Sequence, residues 1–170
     1  RKNLVMVALV SALAGASIAM HADALGWLPG AAPRAARVGL DLVTVMVSVI
    51  AGRVFPMFTR NATGDQAIRT IPALDRVTLA GLALLVVLDA AGASRIAAVV
   101  AGLVAITAAA RTARWGAGRS SREPLLWVLH LGHAWIPIGL ALRALSALTP
   151  AIPASLGTHA LTAGAIGTLT

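Results

Sequence analysis

Runs of about 20 apolar residues follow one another along this chain, and nothing constrains its fold more. A helix needs roughly that many residues, at about 1.5 Å rise each, to cross a hydrocarbon core. The first run extends from Leu4 to about Ala24, with His21 near its end, and closes at Gly26, Trp27, Pro29 and Gly30. The second covers about Val38 to Phe58, with Asp41 near its start and Pro56 near its end. The third covers about Leu74 to Ala91, between Pro72 and Gly92, and contains Asp89. A fourth, Ile96 to Ala110, is short enough to recruit Ser94 and Arg95 as a snorkelling end. The fifth, Leu125 to Leu145, holds His130, His133 and Trp135, with Pro137 as a predicted kink. A sixth starts near Ala154 and runs to Thr170. The pattern predicts an all-α, polytopic transmembrane helical bundle of five complete spans and most of a sixth.

Composition excludes the main alternatives. At 58% hydrophobic and 12% charged, the chain is too apolar for an ordinary soluble domain. A formal net charge of +8 would suggest nucleic acid on a soluble face, but these arginines are scattered between apolar runs, so no nucleic-acid partner is expected. Membrane lipid is the expected surrounding. The absence of cysteine removes disulfides, thiolate metal sites, iron–sulfur ligation and cysteine nucleophiles. No nucleotide loop, Ser/His/Asp arrangement or paired-carboxylate site is present either. The first apolar run exceeds a signal-peptide core of about 7 to 15 residues and is read as a spanning helix. Residues 1–170 read as one transmembrane domain, and a start at Arg1 with an end inside an apolar run suggests a piece of a longer protein.

Arginine placement predicts orientation, because short cytoplasmic loops retain Lys and Arg. One side takes Arg1, Lys2, Arg53, Arg60, Arg69, Arg76, Arg111, Arg114, Arg119 and Arg122; the other takes Arg34, Arg37, Arg95 and Arg143. Ten against four puts the amino end in the cytoplasm. Trp115 and Trp127 read as interfacial belt residues on that side. Small residues four apart, Ala98 with Gly102 and Ala160 with Gly164, allow close helix approach in lipid.

Three ordered segments carry chemistry-bearing residues. They are Gly-Arg-Val-Phe-Pro-Met-Phe-Thr-Arg-Asn at Gly52–Asn61, Glu-Pro-Leu-Leu-Trp-Val-Leu-His-Leu-Gly-His-Ala-Trp-Ile-Pro at Glu123–Pro137, and His-Ala-Leu-Thr-Ala-Gly-Ala-Ile-Gly-Thr-Leu-Thr at His159–Thr170. Together they resemble the signature segments of the NnrS family, over essentially the whole chain. The resemblance implies a multi-pass protein of the bacterial inner membrane that binds haem and copper and is linked to nitric oxide metabolism and protection against nitrosative stress. Nitric oxide and respiratory electron carriers would be its partners. It does not specify a catalysed reaction. It also leads to the expectation of a further His-rich segment upstream of residue 1 and a His-containing stretch beyond Thr170.

Imidazole suits both haem iron and copper, so the resemblance directs attention to His130, His159, His133 and His21. His130 matches the family pattern better than His133, where the family carries an aromatic. His133 is equally open to a hydrogen bond within the bundle, His159 to an interhelical one, and His21 to a solvated interfacial role. His130 and His159 each lie about five residues in from opposite membrane faces, roughly 8 Å deep. In a core about 30 Å thick they would differ by about 14 Å along the normal. Two axial nitrogens on one iron are only about 4 Å apart, given metal–nitrogen distances near 2 Å. Two layers are therefore expected: an outer one with His159, Asp41 and His21, and an inner one with His130, Arg53 and Arg60. Arg53 and Arg60 could hold haem propionates or lipid phosphate. Asp41 could orient a ligating imidazole or pair with Arg37, and Asp89 reads as interfacial. The alternatives to a haem and copper protein are a small-solute transporter or channel, for which Asp41 would line the path, and a cofactor-free scaffold.

Overall fold

The computed structural model describes residues 2–119 and 123–170, with side chains from Leu4 onward, so Arg1, Arg122 and the side chain of Lys2 in the charge count lie outside the described residues. Among the described residues the chain forms six helical rods and no strand. They are α1 (Lys2–Ala24), α2 (Ala32–Thr63), α3 (Pro72–Ala90), α4 (Ser94–Ala113), α5 (Pro124–Ser146) and a composite last rod. That rod is α6 (Ala154–His159), a π-helix over Ala160–Ile166, and α7 (Gly167–Leu169). The predicted all-α bundle is what the chain forms. Four segments, Leu4–Ala24, Ala32–Thr63, Ser94–Arg119 and Pro124–Ser146, are long and apolar enough to cross a membrane.

Local chemistry explains the boundaries. Prolines open α2, α3 and α5 in their first turn, where a missing N–H costs nothing. Asp23 ties the start of α2 down by accepting hydrogen bonds from the backbone N–H groups of Gly30 and Ala32, each at 2.8 Å. Gly64 ends α2 at φ +70°, where its N–H donates to the Arg60 carbonyl at 2.8 Å. The second helix is longer than the apolar run predicts, at 32 residues. Pro56 lies inside it and does not stop it, so Gly52–Asn61 is helix interior where a helix end was expected. The fourth helix takes in Ser94 and Arg95 as expected and continues through Arg111.

The main apolar core joins α2 to α5 with the π-helix, through Val45, Leu82, Leu85, Ala101, Leu140 and Leu161. Helix α1 packs on α2 and is otherwise exposed, as a lipid-facing outer helix would be. Close approach of α5 and the last rod uses Gly139 and Gly157, while Gly102, from a predicted pair, lets α4 meet the Ala144 methyl of α5, 3.3 Å from any Cβ placed there. A Cβ on Gly157 would lie 3.0 Å from both the Gly139 carbonyl oxygen and the Arg143 nitrogen. Gly164, one of the predicted small residues, receives the ring of Trp135, and any Cβ there would clash with the indole at 2.6 Å.

Buried polar residues gather at the two ends of this core. At one end, where α2 begins and α3 and α5 finish, Arg143 joins Asp41 and Asp89. At the other, where α4 finishes and α5 begins, stand His130, His133, Thr59, Thr112 and Arg111.

Candidate metal centre

His130 and His133 are three residues apart on α5 and therefore share a face. That face meets α2 and the end of α4, and both imidazoles are buried. Phe55 stands edge-on to both rings, 5.8 Å from each. Trp115 closes the far side of His133 at 4.8 Å. The expectation that Trp115 is a belt residue fails: it is 1% exposed, because it seats in the cavity formed by Ala51, Phe55 and the last turn of α4. Trp127 does lie at the surface.

Two threonines set the state of the imidazoles. The Thr59 hydroxyl donates to the Phe55 carbonyl at 2.8 Å, so its oxygen is left to accept from Nε2–H of His130 at 3.0 Å. The Thr112 hydroxyl donates to the Ala108 carbonyl at 2.9 Å and accepts from Nδ1–H of His133 at 2.9 Å. Each ring therefore carries its proton toward a threonine and a bare lone pair on the other nitrogen. Those nitrogens, His130 Nδ1 and His133 Nε2, are buried without a hydrogen-bond partner. A buried imidazole nitrogen normally finds a partner, and a neutral ring fixed at one nitrogen and open at the other is the form that binds metals.

His130 also borders a groove of about 760 Å³ between α4 and α5. Its walls are small or apolar, with Gly102, Ala105, Ala109 and Ala134 among them, and Trp127 at one end. Among the described residues no charged side chain borders it. His133 does not reach the groove and is sealed behind its ring neighbours. Among the described residues no three His, Asp or Glu side chains converge as a ready metal site, so the donor set here is an imidazole pair.

The other expected site residues are elsewhere. His159 is exposed, its Nδ1–H donating to the Ser155 carbonyl at 2.7 Å, beside Trp135. His21 is likewise exposed, on the Ser17 carbonyl at 2.8 Å. His159 borders a surface depression with Trp135 and Leu142, one that His130 does not line, so the two imidazoles do not share a pocket. Arg53 is exposed, about half a turn round α2 from Phe55 and so facing away, while Arg60 is half buried next to Thr59.

Asp41 pairs with Arg143 rather than Arg37, at 3.3 and 3.5 Å. Asp89, expected to be interfacial, is buried and takes the closer grip, with Nη2 of Arg143 at 2.6 and 2.7 Å from its two oxygens. Both outcomes follow from the reach of the Arg143 side chain, near the end of α5, to a carboxylate on α2 and another on α3. Thr59, Thr112 and Trp115 escaped sequence reasoning. Thr59 lay within the first signature segment, and Thr112 had no local signal.

The family model described as NnrS protein matches residues 1–170. No curated protein matches the sequence, and no solved structure does.

Proposed function

The chain belongs to the NnrS family, and on that premise we infer that it is a haem- and copper-binding protein of the bacterial inner membrane, acting in nitric oxide metabolism and in protection against nitrosative stress. The observation that carries this reading is the pair of buried imidazoles, each oriented by a threonine and each with an unpartnered nitrogen. In a bilayer-crossing helix such polar atoms are costly unless something binds them. Haem and copper, when bound, supply centres that take up nitric oxide and exchange electrons.

The residues divide the work by position. His130 borders a groove of about 760 Å³ whose described walls are small or apolar, a size suited to a macrocycle, and would be the haem donor. His133, enclosed by Phe55, Trp115 and Thr112, would be the copper donor. Thr59 and Thr112 hold the rings in the binding tautomer. Arg60, adjacent to Thr59, is the guanidinium placed to meet a propionate. The groove walls beside His130 are apolar, and in a bilayer they admit an uncharged diatomic directly from lipid. His159 and His21, both exposed and on other rods, stand apart from this centre.

Orientation with the amino end cytoplasmic is part of the proposal. Arg111 and Arg143 are internal ion-pair partners and leave the count, yet the excess on the amino-end side persists without them. The test is spectroscopic. Protein purified after expression with haem and copper supplied should show a Soret band and bound copper; His130→Ala should alter the band, and His133→Ala should reduce the copper. A colourless, copper-free protein overturns the reading.

A further inference from the structure

Arg143 takes both carboxylates at its end of the bundle, Asp89 at 2.6 and 2.7 Å and Asp41 at 3.3 and 3.5 Å, and so leaves Arg37 without the partner its sequence position offers. Arg111, at the far end of the core, is likewise spent: it donates to Asp75 and to the Ser48 carbonyl, under Gly52, where any Cβ would collide with its guanidinium. Among the described residues neither Arg37 nor Arg34 has a carboxylate within ion-pair distance. Arg34 is nevertheless folded back onto the protein. Its Nη2 lies on the turn between α3 and α4, 3.3 Å from where a Cβ of Gly92 would stand.

Arg37 borders two neighbouring cavities, where α2 and α4 begin and α3 and α5 finish. The smaller, about 210 Å³, has Arg34 and Asp89 on its walls. The larger, about 340 Å³, is faced by Arg37 and Arg143 together with Ser94, Ser146, Ser155 and Thr158, and among the described residues no carboxylate borders it. Ser146 donates its hydroxyl proton to the Arg143 carbonyl at 2.9 Å, whereas the other three hydroxyls can turn theirs toward a ligand.

Charge and geometry define what such a cavity takes. Arg34, Arg37 and Arg143 formally set three positive charges against the two negative ones of Asp41 and Asp89, which leaves one in excess. A guanidinium presents paired N–H donors that match two oxygens of one planar anion. An arginine that only anchors the bundle extends outward to lipid phosphate, but here two guanidiniums and several hydroxyls converge on one enclosed volume.

We propose that the cavity between Arg37 and Arg143 is a binding site for a small monovalent oxyanion, of the size and charge of nitrate. It lies at the other end of the core from the imidazoles, and its occupancy does not rest on the haem and copper reading.

The experiment is isothermal titration calorimetry of the purified protein with sodium nitrate, in lipid-free micelles at constant ionic strength. The parent should bind nitrate saturably at one site. Arg37 is exposed and makes no ion pair among the described residues, so Arg37→Gln should leave unfolding unchanged while weakening nitrate roughly 10- to 100-fold, as the loss of a charge-assisted hydrogen bond does. Thr158→Val, which removes one hydroxyl and keeps the side-chain shape, should weaken it severalfold and serves as the second reading of the site. Arg95→Gln removes an arginine next to Ser94 that borders neither cavity and should bind like the parent. Absence of saturable binding in the parent overturns the proposal, and so does an equal loss in Arg95→Gln, which would mean surface charge only. A parent that binds phosphatidylglycerol but not nitrate, and loses the lipid in Arg37→Gln, also overturns it and marks the cavity as a lipid headgroup seat.

Discussion

The three-residue ion cluster near the end of α5 makes a graded prediction. Replacing Arg143 by Met keeps the length and bulk of the side chain but leaves both Asp89 and Asp41 buried without a cation. Removing one partner of a buried pair costs about 3–5 kcal/mol. Asp89 loses two contacts of 2.6 and 2.7 Å, the stronger grip, and Asp41 loses two of 3.3 and 3.5 Å. The variant should therefore be destabilised by at least about 3 kcal/mol, a shift of roughly a hundredfold or more in the unfolding equilibrium. Asp89→Asn should cost less, about 1.5–3 kcal/mol, because a charged hydrogen bond is lost while Asp41 still balances the guanidinium. Asp41→Asn should cost under about 1 kcal/mol, since its contacts are long and the remaining Arg143–Asp89 pair is charge-balanced. The assay is reversible unfolding in mixed micelles with increasing denaturing detergent, read by circular dichroism. An Asp41→Asn variant more damaging than Asp89→Asn would refute this division of the cluster, as would an Arg143→Met variant within about 1 kcal/mol of the parent.

Other consequences concern the opposite end, around Arg111 and the imidazoles. Gly52→Ala forces its methyl against the Arg111 guanidinium and should cost about 1–3 kcal/mol; in an Arg111→Met background most of that cost should vanish, which a double-mutant cycle measures. Thr112→Val leaves Nδ1–H of His133 unpaired and should cost about 1–3 kcal/mol in unfolding experiments, with a changed copper spectrum in loaded protein. Among single-tryptophan variants in brominated lipid, Trp127, at 44% exposed, should be quenched, while Trp115 should be spared; strong quenching of Trp115 would contradict its place inside the ring cluster.

Much of the architecture was legible in the chain because lipid is an undemanding solvent to read. A segment that crosses it must be long, apolar and helical, so the six rods follow from run length, and prolines and glycines mark most of their ends. The predicted boundary that failed did so for a physical reason. Pro56 ends the apolar run of α2, but a proline costs only one helical bond and a local clash, which packing on α3 and α5 can absorb, and the helix runs on to Thr63. The chemistry-bearing residues were partly legible. His130 and His133 stand out as imidazoles on one helical face, while their threonine partners lie 71 and 21 residues away and carry no local signal.

Sequence by itself determined that this is a helical membrane protein, and in which order its rods come. It could not separate arginines that anchor a surface from those that pair inside, since a guanidinium at a helix end looks the same in either role. Tertiary structure decided that. Helix ends that are far apart along the chain meet at each end of the bundle, and a charge stays buried only where an opposite charge from another helix arrives. Arg143 found Asp89 and Asp41, Arg111 found Asp75, and the same convergence enclosed two histidines with Phe55 and Trp115.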